Sequence, residues 1–562
     1  MSNVQVRRPL DLCKFEFAEL TLCRRRRVKC DEAKPCCFRC QSSNRICEGY
    51  GIILDTPKYL TYQSCSKTHR EHGDSLPILQ PKPTVALKII PFLNHSESVI
   101  FELFRSQTVV ELAGFRSARF WRNIVLPACH SEPAIFHASM ALANASCPRT
   151  STFAREDIPR LDTLNHYNKA IHHLKAHVSI CSETSSLRVA LIACILFIAL
   201  ELSTGRFQEA GMHLNQGRTL LQSSTHFVTT TADREVKTKA LVLVSNPKSV
   251  EDEIWSVFAD LDLQSTYFGS YKPQLKLEAQ KSTQYASPAQ PFLALLLDLP
   301  RDFSDIQEAN KYLIILTNKC LQFIGHKLMP ESHSLQHTHA TFCRQHLNSD
   351  LKNWNETYDR MCLRVTTIEK SRHAWKQQST LMLIQSAWLS VLVPTSYFEI
   401  EETDYDSYIE EFTTITNLAA SVLPERGGKK RQFSLEFGLA APLSWTVIKC
   451  RDPYLRRRAL SLIERAGHEG MWEPKLVSQL VKECILLEEG IEDLGDCCHG
   501  WGAVDDWRTW IPLQKRVITA VVVFEKSDYA MLQMRFRRKV WNSEGKFIGM
   551  EEIVRSRPYK GS

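Results

Sequence analysis

Five cysteines recur in residues 23–47 as Cys23-x6-Cys30-x6-Cys37-x2-Cys40-x6-Cys47, with Cys36 beside one of them and Cys13 upstream. The residues between them are too polar and too few to make an apolar core, so the segment folds only if metal–thiolate bonds replace that core. Seven of the 19 cysteines lie in the first 47 of 562 residues. The charge is equally lopsided. Residues 1–50 hold 11 Lys/Arg and 6 Asp/Glu, so +5 of the formal net charge of +8 sits there and an anionic partner is expected. Residues 1–12 have no leader-like apolar run, and the longest uncharged apolar stretch, 189–200, has 12 residues. A bilayer span takes about 20. The expectation is no membrane, and cysteines used as thiols or metal ligands in a reducing compartment.

The cysteine spacing resembles the fungal binuclear zinc cluster, the Zn2Cys6 DNA-binding module. Five of its six ligands map onto Cys23, Cys30, Cys37, Cys40 and Cys47, together with Asp31, Pro35 and Gly49-Tyr50. The departure is the first ligand, where Leu20 stands in place of Cys. The resemblance implies two zinc ions if the cluster is complete. Six thiolates, two of them bridging, then fill the eight positions of two tetrahedral zincs, and the bridges would be the missing first ligand and Cys37. Cys36 is poorly placed as a substitute, because side chains of adjacent residues diverge. Cys13, ten residues before Cys23, can span up to roughly 33 Å and is the preferred sixth ligand. A misread exon junction near residues 13–22 is the other explanation for Leu20.

Between Cys23 and Cys30 five of six residues are cationic: Arg24, Arg25, Arg26, Arg27 and Lys29. Metal ligation at both ends would hold this run as a short helix, and modules of this kind place such a helix in the major groove of double-stranded DNA. The resemblance puts Arg26 and Arg27 on guanine edges of a CGG-like half-site, each contact worth about 1–3 kcal/mol of discrimination. Arg24, Lys29, Lys34 and Arg39 are assigned to phosphates, which add affinity and salt sensitivity. Taken alone, the run reads as a nuclear-import signal or a solvated charge run. Residues 51–84 contain no sustained heptad, and 63–84 is polar with Pro77, Pro81 and Pro83. That stretch reads as linker and leaves a homodimer open.

From about residue 91 the pattern turns to amphipathic helices. Leu164, Tyr167, Ile171, Leu174 and Val178 share one helical face, 189–202 is apolar nearly all round, and Phe207, Ala210, Leu214 and Leu221 continue after a break at Thr204-Gly205. An α-hairpin array is expected; a regular tetratricopeptide array is the runner-up. Phe104-Arg-Ser-Gln-Thr-Val-Val-Glu-Leu-Ala-Gly-Phe115, Phe120-Trp121, His130-Ser-Glu-Pro133 and Tyr167-Asn-Lys-Ala-Ile171 resemble the start of the fungal-specific transcription factor domain. Glu469-Gly-Met-Trp472 through Cys484-Ile-Leu-Leu-Glu488 resembles its later part. At the C-terminus, Leu532, Met534, Phe536 and Val540 alternate with Gln533, Arg535, Arg537 and Lys539, Asn542-Ser-Glu-Gly545 forms a turn and 546–550 returns, so a β-hairpin is expected, its basic face in solvent or, as the alternative, against DNA.

Other constellations read as structural. His166, His173 and His177 form a solvated polar flank, without the Glu a metalloprotease needs between His173 and His177. Cys497 and Cys498 are small apolar core residues. Trp501, Trp507 and Trp510 are core or groove anchors. The run 399–412, with seven Asp/Glu interleaved with Tyr405, Tyr408 and Phe412, is either an acidic activation segment or a solvated helix or loop. No phosphate-cradling loop, nucleophile elbow or dinucleotide fingerprint is present, so an enzyme is not expected.

The fold expected is mostly α: a zinc-cluster domain over 13–50, a linker over 51–90 and a large all-α helical-hairpin domain over 91–562. The function expected is a nuclear, sequence-specific transcription regulator of RNA polymerase II genes, such as a metabolic gene cluster. Self-association, a coactivator or a small effector would control it. The competing reading is a regulatory adaptor whose degenerate cluster no longer reads DNA.

Overall fold

The computed structural model describes residues 95–114, 118–146, 158–180, 183–223, 227–232, 236–243, 249–266, 273–279, 297–327, 336–366, 372–396, 401–423, 433–494, 507–524 and 531–558. They belong to one compact unit, Val85–Ser562; Met1–Thr84 forms a second unit.

The described unit is mostly α. Helix α1 (His95–Leu103) leads through a π-turn to the short α2 (Val109–Leu112), then α3 (Leu126–Ser131) and α4 (Pro133–Ser146). The long pair α5 (Ile158–Ile180) and α6 (Glu183–Ser203) follows, then α7 (Phe207–Ser223). Helix α4 packs along both α5 and α6, and α6 along α7, so the hairpin array expected here is present. Gly205 makes the turn before α7 at φ +75°, where a residue with a Cβ would be strained. Ala210, Leu214 and Leu221 of α7 are buried as the stripe requires. Residues Ser185–Ser203 are long and apolar enough by length and composition to cross a membrane, yet 83% of that window is buried inside the protein. This is the core helix that the all-round apolar pattern anticipates.

Two assignments on α5 change. The Leu164 stripe lies at the margin of the interface, with Leu164 and Val178 about half exposed. The side that packs on α4 carries His166 and Ala170, both buried. His137 Nδ1 lies 3.0 Å from His166 Nδ1, and His177 Nδ1 lies 3.1 Å from Glu132. The histidines are therefore packed polar contacts between helices and not a solvated flank. Aliphatic spacing selects a face only when small and aromatic-polar residues do not compete for it. Here Ala170 allows close helix approach and the imidazoles fill the space around it.

Strands occur where few were anticipated. Strand β1 (Phe227–Ala232) pairs antiparallel with β2 (Val236–Leu243), which pairs in parallel with β3 (Leu277–Ala279) beyond α8 (Val250–Ser265). The signal was the run of β-branched residues in Phe-Val-Thr-Thr-Thr and Val-Lys-Thr. Helix α8 starts in a capping box between Ser249 and Asp252, which satisfies two otherwise orphaned N–H groups. Helices α9 (Ile306–Lys327), α10 (Gln336–Arg364) and α11 (His373–Leu392) continue the array. Trp354 on α10 is fully buried, donates its indole N–H to Ala309 O on α9 at 2.9 Å and stacks on Tyr358. Helix α12 (Ile409–Val422) packs on α11.

The two-residue strands β4 (Phe433–Ser434) and β5 (His468–Glu469) pair in parallel around α13 (Ala440–Lys449) and α14 (Pro453–Arg465), ahead of α15 (Pro474–Glu489). The Glu469-Gly-Met-Trp472 phrase acquires a physical meaning here. Glu469 Oε2 accepts the Ala440 N–H at the start of α13 at 2.9 Å, and Gly470 N–H donates to Ser434 O at 2.7 Å. Gly470 sits at φ +52° with Gln264 of α8 where a Cβ would stand, so only glycine fits. After the single-turn α16 (Trp507–Trp510), β6 (Thr519–Phe524), β7 (Met531–Trp541) and β8 (Phe547–Pro558) form an antiparallel sheet in that order. The C-terminal hairpin is thus present, with Gly545 at φ +76° in its turn and Leu532, Met534 and Phe536 fully buried. Its return strand runs to Pro558, and β6 is an additional third strand.

Candidate functional site

Three polar constellations stand out in the described unit. The largest is an ionic core where α13, α14 and α15 meet the acidic run. Glu488 of α15 takes Arg451 at 2.8 Å and Arg456 at 2.7 Å, and the Val517 N–H at 2.6 Å. Glu402 takes Lys449 at 2.7 Å and Arg451 at 3.0 Å. Arg516 makes a two-pronged pair with Asp406 at 2.9 Å, and Arg457 pairs with Glu489. Arg451, Arg456 and Glu488 are almost wholly shielded from solvent. Burial alone would raise the Glu488 carboxyl, but the guanidiniums of Arg451 and Arg456 and the Val517 N–H outweigh it and hold it below the ordinary carboxylate range.

This core corrects the solvated reading of 399–412 for part of the run, while Asp404 and Glu410 remain in solvent. Glu402, Tyr405, Asp406 and Phe412 are buried, and Lys449 stands over the Tyr405 ring at 4.7 Å. Glu402 and Asp406 are taken up by internal cations, whereas Asp404 and Glu410 are exposed. Composition could not show this, because the pairing cations lie 47 or more residues away in the chain, beginning at Lys449 against Glu402. The C-terminal basic face lies in solvent as expected, with Arg537 paired to Glu552 at 3.0 Å and Lys539 to Glu401 at 3.0 Å; Arg538, on the opposite face, pairs with Glu551 at 2.6 Å. Trp510 is 42% exposed and is not a core anchor. Trp501, Cys497 and Cys498 lie outside the described residues.

The second constellation is a cavity of about 640 Å³ lined by Glu111, Phe433, Glu464, His468, Glu473 and Lys475 among others. His468 is 8% exposed, and its Nε2 makes no hydrogen bond among the described residues. Burial pushes its pKa down to about 4, so the ring is neutral near pH 7. A volume of this size suits a small molecule, and a wall richer in carboxylates than in cations suits one bearing hydrogen-bond donors. The third is the His137–His166 pair, backed by His173 stacked on His137. The facing nitrogens are within hydrogen-bonding distance, one ring donating to the other according to its tautomer. Burial first, then the positive neighbours His166, Lys169 and His173, holds His137 down to about 3. Among the described residues no group of three or more His, Cys, Asp or Glu is arranged to hold a metal.

The metal ligands and base-reading residues expected from sequence, Cys13, Cys23, Cys30, Cys37, Cys40 and Cys47 with Arg24 to Arg27, Lys29, Lys34 and Arg39, lie outside the described residues. Their donor set fits zinc by its chemistry: thiolates in C-x6-C and C-x2-C-x6-C register are the ligands that zinc takes in closed sites. The fit covers five of six positions.

Comparison with known proteins supplies the class. The model of the fungal Zn(2)-Cys(6) binuclear cluster domain matches residues 21–56, and that of the fungal specific transcription factor domain matches residues 92–243. The chain thus carries one segment similar to the two-zinc cluster domain and another similar to the first part of the helical transcription factor domain. The cluster match opens at residue 21, directly after Leu20.

Among individual proteins, the aspercryptin biosynthesis cluster-specific transcription regulator atnN of Emericella nidulans is 28% identical over 421 residues, covering 71% of this chain and 63% of that protein. The transcription regulator lscL of Purpureocillium lilacinum is 27% identical over 207 residues, 34% of this chain and 46% of its own. The transcriptional regulatory protein moc3 of Schizosaccharomyces pombe is 68% identical over 28 residues, 5% of this chain and 6% of its own. The chain thus spans less than two thirds of the length of each of these relatives. No solved structure matches it.

Proposed function

We propose that this protein is a nuclear, sequence-specific DNA-binding regulator of RNA polymerase II transcription. The observation that carries the reading is the coupling of the cluster match at 21–56, with its five-in-six cationic run, to the transcription factor domain match at 92–243. The cluster domain occupies 13–50, a linker follows over 51–90, and the helical domain extends from 91 to 562. Cys23, Cys30, Cys37, Cys40 and Cys47 hold two zinc ions, with Cys13 as sixth ligand in place of Leu20. Bound zinc supplies the folding energy of the module. The chain's own residues then do the reading: Arg26 and Arg27 face guanines of a CGG-like half-site, and Arg25 belongs to the same run. Arg24, Lys29, Lys34 and Arg39 neutralise phosphates.

The similarity to a regulator named for a biosynthesis cluster supports a set of metabolic genes as the target. The cavity around His468 supports control by a small donor-bearing effector, and nothing in the chemistry of the described constellations calls for an enzyme. One observation favours a second reading, a protein-binding adaptor without DNA recognition: Leu20 at the first-ligand position. Native mass spectrometry of the full chain separates them. Two zincs per chain, falling on Cys13→Ser, is the result for a DNA reader; one zinc or none, unchanged by Cys13→Ser, is the result for an adaptor.

A further inference from the structure

The outer edge of the C-terminal sheet is twelve residues long. Strand β8 pairs with β7 on one side, and no described strand pairs with its other side. Ile518 N–H donates to Arg537 O at 2.8 Å, so the Arg537 backbone faces β6. In an antiparallel ladder N–H and C=O groups of one residue point the same way and alternate along the strand. Arg537 stands opposite Glu552, so Met550, Glu552, Val554 and Ser556 aim their backbone groups at the free edge. Ile548, Met550 and Val554 are 62%, 50% and 47% exposed. An exposed edge of this length with apolar side chains is a template for another strand.

The charges on β8 say which strand fits. Glu551 and Arg555 lie on the same face, two residues either side of Ile553; Glu551 already holds Arg538 of β7 with one oxygen at 2.6 Å, and Arg555 has no ion-pair partner among the described residues. If a second β8 runs antiparallel about a two-fold axis through Ile553, Glu551 of each copy stands opposite Arg555 of the other. Ile553 then meets its own counterpart, and Val554 lies diagonal to Val554 of the second copy. Moving the axis to Glu552 or Glu551 would set like carboxylates against each other, which is unfavourable. The centred register also places Pro558, which lacks an N–H, opposite Ile548 at the end of the seam, where its loss matters least.

We propose that two copies of this chain join through β8 in that register, making one continuous six-stranded sheet across the two-fold. The sequence after the cluster has no heptad to serve instead, and the interface stands whether or not the N-terminal module reads DNA. The edge charges act as a specificity device, since they fit a reversed copy of the same strand and disfavour slips centred on Glu551, Glu552 or Arg555, which set like charges against each other.

Sedimentation equilibrium of the full chain tests this with charge swaps. The unaltered chain is expected to dimerise, Arg555→Glu to weaken the dimer about tenfold through two new like-charge pairs, and Glu551→Arg to weaken it at least as much, since it also loses the pair with Arg538 of its own chain. The double swap should restore association to within about threefold of the original. Val554→Pro removes an edge N–H that β7 does not use, so it should abolish the dimer while circular dichroism and melting of the monomer stay unchanged. A chain that remains monomeric at high micromolar concentration overturns the proposal. So does a dimer indifferent to all three variants, or a double swap that stays as weak as the single ones.

Discussion

The two ends of this protein use arginine in opposite ways. In residues 24–29 the cations stand together with no carboxylate between the flanking cysteines, in a segment that has no apolar core to offer them. In the helical body Arg451, Arg456, Arg457 and Arg516 are buried and matched to Glu402, Glu488, Glu489 and Asp406. The difference lies in what supplies the folding energy. A module held by metal–sulfur bonds can leave its charges unpaired for an outside anion. A body held by apolar burial must neutralise any charge that it encloses, because each unpaired ion there costs several kcal/mol. An arginine cluster therefore signals nucleic acid only where the surrounding sequence cannot pair it internally.

The largest expected effect lies in the metal-held end. Cys30→Ser, or chelation, should lower specific DNA affinity on the order of a thousandfold, to the non-specific level, while the melting of the helical body stays the same. Joint loss of both, followed by calorimetry and fluorescence anisotropy, would break the claimed independence. Next, Glu488→Ala leaves Arg451 and Arg456 enclosed without their shared carboxylate and should destabilise the body by about 3–5 kcal/mol in urea denaturation, with zinc content unchanged. A loss below about 1 kcal/mol would mean that the ionic core is wetter than its burial indicates. Arg27→Ala should then relax base preference at one position by about 1–3 kcal/mol, whereas Lys34→Ala should weaken all duplexes alike and reduce the salt slope by about one.

The smallest effect is a pH dependence of the body. The buried His468 is held near 4, below its unfolded value of about 6.5. Its contribution is complete above the unfolded value and is lost as pH falls from there towards the folded one, because the unfolded chain then binds the extra proton. At pH 5.5 the loss should be about 1 kcal/mol, read as a fall in melting temperature that His468→Asn reduces. Asp350, raised to about 6 by burial, acts in the opposite sense, gaining stability as pH falls below 6, so the variant and not the raw slope is the informative measurement.

How much of this was legible in the sequence follows from the range of each signal. The cysteine register, the core helix at 189–202 and the alternation of Leu532, Met534 and Phe536 are local patterns, and the domain match or the structure bears each of them out. Long-range pairing was not legible. Glu402 finds Arg451 across 49 residues and Arg516 reaches Asp406 across 110, so acidic composition pointed to solvent where the fold built a core. The α5 face was misjudged for a related reason. Ala170 and His166 carry little hydrophobic signal, yet a small residue beside an imidazole packs a helix interface as well as leucine does. The far end of the C-terminal hairpin's return strand carries no apolar alternation, because Glu551 and Glu552 interrupt it, and their partners Arg538 and Arg537 only become neighbours once the sheet forms.

The most direct test of the account is DNA binding by the full chain, measured by anisotropy on a CGG-containing duplex and on a scrambled one, before chelation, after it, and after zinc is returned. The expected result is a preference for the CGG duplex that vanishes with chelation and returns with zinc. Equal binding to both duplexes at every stage would contradict it.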